Sequence, residues 1–153
     1  MSLFKEESDF MFVKQISIFI ENKSGRLAEV TKILAKSNID ISALSIADTT
    51  NFGILRLIVN NPDEAEKRLK DAGFTVNITD VIAIAINDAP GALYKALETL
   101  NGEDVKIEYM YAFVGKTQNK ALVILKIDDG ETAMVKLKSG GIYVLSSKEV
   151  YNI

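Results

Sequence analysis

The most constraining feature of this 153-residue chain is an internal repeat. A small set of glycines and large apolar residues returns at a nearly fixed spacing, with the same order of predicted elements around it. A duplicated unit restricts the fold to two similar halves in tandem. The matching pairs are Gly25 with Gly91, Leu27 with Leu93 and Ile41 with Ile107 at an offset of 66, then Leu69 with Leu137 and Gly73 with Gly141 at an offset of 68.

Hydrophobic periodicity assigns the elements of the first half. Isoleucines that alternate with other residues predict a strand over 13–20, and helical spacing of apolar residues predicts a helix through about Lys36, with Ser24 as its N-cap. Asn61-Pro62 predicts the start of a second helix, which Gly73 ends. The remaining predicted strands are Ile39 to Ile46, Phe52 to Val59 and Phe74 to Ile78.

The second half repeats this order. Strands are predicted at Val81 to Ile86, about Val105 to Phe113, Ala121 to Ile127 and from Ile142 to Leu145, with helices after Gly91 and before Gly140. The order βαββαβ is that of a ferredoxin-like unit. We therefore predict an α+β protein of two such units, each an antiparallel sheet with helices on one face. The predicted division is an N-terminal extension over 1–10, one domain over 11–78 and another over 79–153.

Composition excludes several classes of chemistry. The chain has no Cys and no His, so thiol nucleophiles, Ser-His-Asp triads and His- or Cys-ligated metals are excluded. We predict no catalytic residues, no metal and no cofactor. The net charge of -3 argues against general nucleic-acid binding. The charged N-terminus and the short apolar runs predict a cytoplasmic protein that does not enter a membrane.

Two strand-to-helix turns, 22–27 and 88–93, have the composition of a small anion site. A glycine lets the backbone approach a ligand closely, and the following helix N-terminus offers N–H groups to a carboxylate. The polar residues Asn22 and Asp88 stand three positions before the glycines and are able to accept a hydrogen bond from an ammonium group. The same residues are also ordinary capping residues, and both interpretations stay open at this point.

The turns resemble those of ACT domains, the small amino-acid-sensing modules of metabolic enzymes. The second turn, Asp88-Ala89-Pro90-Gly91-Ala92-Leu93, matches the family's D-x-P-G-x-L pattern fully, and the first departs from it with Asn22 and Ser24. Asn38-Ile39-Asp40-Ile41 also resembles the family's N-I-x-I at the start of strand two. The resemblance covers about Val13 to the C-terminus and identifies the chain as similar to a tandem ACT pair.

The resemblance implies that an amino acid binds where one module's turn faces a neighbour's second strand, and that modules pair side by side as a homodimer. Binding residues carried over are Asn22, Lys23, Ser24, Gly25, Arg26 and Leu27 in the first turn, Asp88, Ala89, Pro90, Gly91, Ala92 and Leu93 in the second, and Asn38, Ile39 and Asp40 on the facing wall.

We therefore predict a non-catalytic regulator that binds a small amino acid and acts on a separately encoded metabolic enzyme. The alternative is an assembly module of the same fold without a ligand. RNA recognition is disfavoured because Phe52 to Val59 is nearly all aliphatic and lacks the stacking aromatics that RNA-recognition motifs use. An acylphosphatase is disfavoured because its Gly-rich, Arg-bearing phosphate loop is absent from the sequence.

Overall fold

The computed structural model describes residues 11–21, 23–48, 51–102, 105–115 and 118–153. In these ranges the chain forms strands and helices in the predicted order, with one further helix at the end. They are β1 (Phe12–Glu21), α1 (Arg26–Lys36), β2 (Ile41–Asp48), β3 (Phe52–Val59), α2 (Pro62–Asp71), β4 (Thr75–Asn87), α3 (Ala92–Thr99), β5 (Ile107–Ala112), β6 (Lys120–Ile127), α4 (Gly130–Ser139), β7 (Tyr143–Leu145) and α5 (Ser147–Tyr151). The N-terminal extension predicted over 1–10 lies outside these ranges.

The chain divides into two compact units, with the boundary between Thr79 and Asp80. The N-terminal unit is Lys14–Thr79, and the C-terminal unit is Asp80–Val150. Each unit also includes a short piece from the opposite end of the chain. Residues 11–13 group with the C-terminal unit, and Tyr151–Ile153 groups with the N-terminal unit.

The N-terminal unit has the strand order β2-β3-β1-β4. β1 and β2 both pair antiparallel with β3, which is the arrangement of a split βαββαβ unit. Alternate residues of β1 enter the core, as the sequence period predicts, because successive strand residues point to opposite faces. The core cluster comprises Ile16, Ile18, Ile20, Val30, Leu34, Ile39, Leu55, Leu57, Val59, Ala65, Leu69 and Val76.

The C-terminal unit repeats this design with the order β7-β4-β6-β5. β4 pairs antiparallel with β6 and β7, and β5 pairs antiparallel with β6. The predicted α+β class and the tandem ferredoxin-like units are therefore confirmed. The core cluster of the C-terminal unit comprises Ile82, Ile84, Ile86, Ala96, Leu100, Val123, Leu125, Ile127, Ala133, Met134, Leu137 and Val144.

Two element assignments from the sequence were wrong. The predicted strands over 74–78 and 81–86 are one continuous strand, β4, because polar residues between them do not interrupt an extended backbone. The region after β7 forms the short helix α5, which the sequence analysis did not predict. Its signal was present in Ser146 and Glu149, whose S-x-x-E spacing is that of a capping box.

Candidate functional site

The two turns singled out from the sequence form the same backbone corner. Gly25, the N-cap of α1, has φ 88° and ψ −9°, and Gly91, the N-cap of α3, has φ 85° and ψ −9°. Both conformations are left-handed, which glycine adopts without the cost that a Cβ adds. Each glycine carbonyl accepts the N–H four residues on, from Glu29 at 2.9 Å and from Lys95 at 3.0 Å. The sequence repeat is therefore also a repeat of local conformation.

The helices that follow these corners begin without a side-chain cap, unlike the second helix of each unit. Asn61 caps α2 by accepting the N–H of Glu64 at 3.3 Å, and Asp129 caps α4 in the same way. The prediction that Ser24 caps α1 was wrong, because Gly25 holds the cap position and no described side chain accepts a cap hydrogen bond there. The first N–H of each helix donates to a turn carbonyl, from Arg26 to Lys23 at 3.4 Å and from Ala92 to Ala89 at 3.2 Å. No described side chain caps the N–H groups that follow at the positive end of the helix dipole.

Charged side chains surround the first corner. Lys23 Nζ lies 2.8 Å from Glu21 Oε2, and Arg26 Nη1 lies 3.0 Å from Glu29 Oε2. The hydrogen bond from Lys23, its charge, and a smaller effect of Arg26 lower the pKa of Glu21 below its ordinary value. All four side chains are at least one-third exposed, so these ion pairs hold the side chains only weakly. They are free to exchange partners with a charged ligand.

Arg26 lies between two hollows of the N-terminal unit, and its guanidinium carbon is 5.8 Å from the centroid of the Phe74 ring. The larger hollow has a volume of about 220 Å³, and the smaller hollow has a volume of about 150 Å³. The larger hollow is lined by Phe19, Ile20, Glu21, Arg26, Phe52, Ala72, Gly73, Phe74 and Thr75. The smaller hollow is lined by Ile20, Glu21, Lys23, Arg26, Leu27, Ile46, Asp48 and Gly53.

Asp48 and Gly53, which complete the smaller hollow from the sheet, were not predicted as site residues from the sequence. Asp48 ends β2 and pairs in register with Gly53 of β3, which also pairs with Ile20 of β1. A Cβ at Gly53 would lie 3.2 Å from Asp48 Oδ1, so the absent side chain leaves room for this carboxylate. A glycine inside a strand often marks such a close approach, and this was the available signal.

The three residues predicted for the facing wall lie just before β2, at its other end, and the eight residues after Asp40, up to Asp48, span about 26 Å at strand rise. Asn38 has a φ of 55° and ends α1 in the left-handed position, where asparagine often stands in for glycine. Ile39 is 7% exposed and belongs to the core, and the Asp40 N–H donates to Asn60 Oδ1 at 3.0 Å. These residues therefore do not share a hollow with the corner of their own unit.

The second corner has fewer charged neighbours. The Asp88 N–H donates to the Asn119 carbonyl at 2.8 Å, and Lys120 Nζ donates to Asn87 Oδ1 at 2.7 Å. Ala89 accepts the N–H of Ala92 at 3.2 Å. Asp88, Ala89, Pro90 and Gly91 are exposed and Ala92 is half-buried.

The leucine two residues after each glycine is exposed, although helical spacing placed Leu27 and Leu93 with the apolar faces. Leu27 is 42% exposed and Leu93 is 37% exposed. Within the first turn, Lys23 and Ser24 are also exposed, and the predicted binding residue Asn22 lies outside the described residues. Each corner therefore presents a partly exposed apolar side chain two residues after its glycine.

Two further kinds of site, a membrane-spanning helix and a metal centre, are absent from the described residues. No helix there has the length and apolar composition needed to cross a bilayer. No group of three or more carboxylates comes together there in a way that would hold a metal ion.

Comparison with known proteins agrees with the resemblance seen in the turns. A family model described as an ACT domain pair matches residues 11–151. A protein of known structure from Bacteroides thetaiotaomicron is 48% identical, with 94% of this chain and 98% of that chain covered and a TM-score of 0.87. No curated protein matches the chain.

The fold is also similar to that of two regulatory subunits of aspartate kinase. The subunit from Thermus thermophilus, in a ligand-free form, is 17% identical over 83% of this chain and 91% of its own, with a TM-score of 0.63. The subunit from Thermus flavus is 17% identical over 84% of this chain and 90% of its own, with a TM-score of 0.58. At this identity the likeness is one of fold.

Proposed function

Because this chain belongs to the family of paired ACT domains, we propose that it is a non-catalytic regulator that binds a small amino acid at its glycine corners and acts on a separate protein. The observation that carries the proposal is the contrast between helix starts. The helices after Gly25 and Gly91 lack a side-chain cap, whereas α2 and α4 have one. Backbone N–H groups left open at a helix start suit a carboxylate.

The form of the ligand follows from what lies beside those N–H groups. A carboxylate is drawn to the helix start, and an ammonium group needs a nearby carboxylate or amide acceptor. The exposed leucines Leu27 and Leu93 add an apolar contact for the ligand side chain. An α-amino acid carries all three features. The proposal includes binding by Lys23, Ser24, Arg26 and Asn22 at the first corner, and by Asp88, Ala89, Pro90 and Ala92 at the second.

The proposal also includes a cytoplasmic homodimer. Asn38 and Asp40 lie at the far end of β2 from their own corner, which supports a corner from a second copy as the one that faces them. The ligand then favours one arrangement of the paired modules, and this preference is passed to the partner as a coupling free energy, typically about 1–3 kcal/mol. The likeness in fold to regulatory subunits of aspartate kinase supports a metabolic enzyme as the partner.

The experiment is a thermal-shift screen of the purified chain against the twenty amino acids. At 100 times its dissociation constant, a ligand that binds only the folded state adds roughly 2.7 kcal/mol to the free energy of unfolding. We expect one amino acid or a small related group to raise the melting temperature in a dose-dependent way. No response from folded protein would favour the assembly module.

Matched glycine variants identify the corner that responds. Gly25→Ala and Gly91→Ala impose the same strain, because the two glycines have φ values of 88° and 85° and neither Cβ position meets another atom within 4 Å. We expect similar losses of stability and an unequal loss of ligand response. An equal, undiminished response in both variants would contradict the placement of the ligand at the corners.

A further inference from the structure

The smaller hollow has the size and the charge pattern of a site for one zwitterion. It lies within the N-terminal unit and its volume of about 150 Å³ is below the roughly 300–1,000 Å³ of pockets for drug-sized ligands. Its lining contains two cations, Lys23 and Arg26, and two carboxylates, Glu21 and Asp48. A nucleotide is too large for this space, and a lining that carries both signs of charge suits a ligand that also carries both.

Asp48 is the carboxylate available to a ligand. In the described part of the chain, Lys23 engages Glu21 and Arg26 engages Glu29, but no ion pair or hydrogen bond engages Asp48. The register of β2 against β3 fixes Asp48 beside Gly53, where the missing side chain gives its Oδ1 room. Because this carboxylate is held by strand register and has no partner among the described residues, it is well placed for an ammonium group.

The rest of the lining indicates the ligand side chain. Ile20, Leu27 and Ile46 form the apolar part of the smaller hollow. Leu27 and Ile46 are each 42% exposed, so a ligand that covers them removes apolar surface from water. A charged or strongly polar side chain gains nothing from these residues.

We propose that the smaller hollow binds a neutral aliphatic amino acid, with its ammonium group on Asp48, its carboxylate facing Arg26 and Lys23, and its side chain against Leu27 and Ile46. This inference rests on the proposed function and assigns it to one corner. Asp48 is thereby the residue that distinguishes an α-amino acid from a simple carboxylate.

The second corner lacks this set of charges. The offset of 66 places Asn87, Ala89 and Ala92 where the first corner has Glu21, Lys23 and Arg26. Continuing the β5–β6 register two residues past Ala112 places Val114 where the first corner has Asp48. Asp88 is charged, but no aligned position supplies a cation, and Lys120 is engaged by Asn87. The inference therefore narrows the two corners of the proposed function to one ligand site, in the N-terminal unit.

Isothermal titration calorimetry of the full chain tests this assignment, with L-alanine, L-valine, L-isoleucine, L-leucine and L-threonine as probes. We expect one binding site per chain. Loss of a charge-assisted hydrogen bond in Asp48→Asn is expected to weaken binding about 10- to 100-fold. Val114→Asn, the matched change in the other unit, and Asp63→Asn, an exposed carboxylate elsewhere in the same unit, are expected to bind like the unaltered chain.

A second measurement separates contact from structural damage. N-acetylation of the best probe removes its positive charge, so it should weaken binding to the unaltered chain strongly. In Asp48→Asn the amino acid and its N-acetyl derivative should differ much less, because the ammonium partner is already gone. Melting temperatures without ligand check that each variant is folded.

The outcomes separate this inference from the proposed function. Two sites per chain, undiminished binding by Asp48→Asn, or an undiminished effect of N-acetylation in that variant would each overturn the inference while amino-acid binding stands. Tighter binding of lysine or glutamate than of the aliphatic probes would overturn the ligand class. If none of the twenty amino acids binds, the proposed function itself fails, and this inference fails with it.

Discussion

Glu149 organises the start of the last helix through three hydrogen bonds. Its Oε1 accepts the Ser146 N–H at 3.0 Å and its Oε2 accepts the Tyr143 hydroxyl at 2.7 Å. Its own N–H donates to Ser146 Oγ at 3.1 Å, which completes a capping box. The Ser146 N–H and the Tyr143 hydroxyl lower the pKa of Glu149, and the carboxylate raises the pKa of Tyr143.

These shifts predict how the stability of the C-terminal unit depends on pH. The lowered pKa of Glu149 gives stability that is complete above the unfolded value of about 4.3 and is lost as pH falls through the folded value. The raised pKa of Tyr143 gives stability that is complete below about 10 and is lost as pH rises through the folded value. Glu149→Gln should therefore destabilise by about 1 kcal/mol near pH 7 and by much less at pH 3.

Urea denaturation at pH 3 and 7 measures this difference for Glu149, and a further measurement at about pH 11 follows the loss at Tyr143. Tyr143→Phe is the companion variant, because it removes the hydroxyl that titrates at high pH and keeps the ring. A penalty for Glu149→Gln that is equally large at pH 3 and pH 7 would show that the carboxylate charge is not what stabilises α5.

At the scale of elements, the helices begin in two different ways. α2 follows the sequence signal closely, with Asn61 as cap and Pro62 at the first helical position. α1 follows a polar stretch in which Ser24 is equally suitable as an N-cap, yet Gly25 occupies the N-cap position. A propensity for capping does not specify which of two neighbouring residues becomes the cap, because the backbone conformation of the corner decides it.

Removing the cap should therefore cost stability at one helix and little at the other. Asn61→Ala is expected to lower the free energy of unfolding by about 1 kcal/mol. Ser24→Ala is expected to change it by less than about 0.5 kcal/mol, since the Ser24 side chain makes no cap hydrogen bond. Urea denaturation of both variants at pH 7 gives the comparison. Equal losses would mean that Ser24 does cap α1 in solution.

Most strands and helices could be predicted from the sequence, but not every residue that lines the candidate site. Alternation of apolar residues located β1, and β3 was predicted with its observed bounds, because burial on a sheet leaves a period in the chain. The glycine corners were also predicted, since the repeat marks them. Asp48 was not, because Gly53 within β3 signals a close approach but does not identify the residue opposite it, which depends on strand register.

At the scale of the whole molecule, the chain consists of two units with corresponding strand orders. Each unit has its own buried cluster, and the residues that recur in the sequence recur in the packing. Leu69 and Leu137 are both fully buried, whereas Leu27 and Leu93 are both partly exposed. The duplication preserved the packing at these positions, while the charges around the first corner have no counterparts at the second.

The recurring leucines make this equivalence measurable. Leu69→Ala and Leu137→Ala are each expected to lower the stability of their own unit by about 2–5 kcal/mol, because each removes a buried side chain and leaves a cavity. Leu27→Ala and Leu93→Ala, the exposed matched pair, are expected to cost less than about 1 kcal/mol. Hydrogen exchange resolved by segment is the suitable measurement, because a chain of two compact units need not unfold in a single step. A small loss at one buried leucine and a large loss at the other would show that the two cores, although aligned in sequence, are not equivalent in packing.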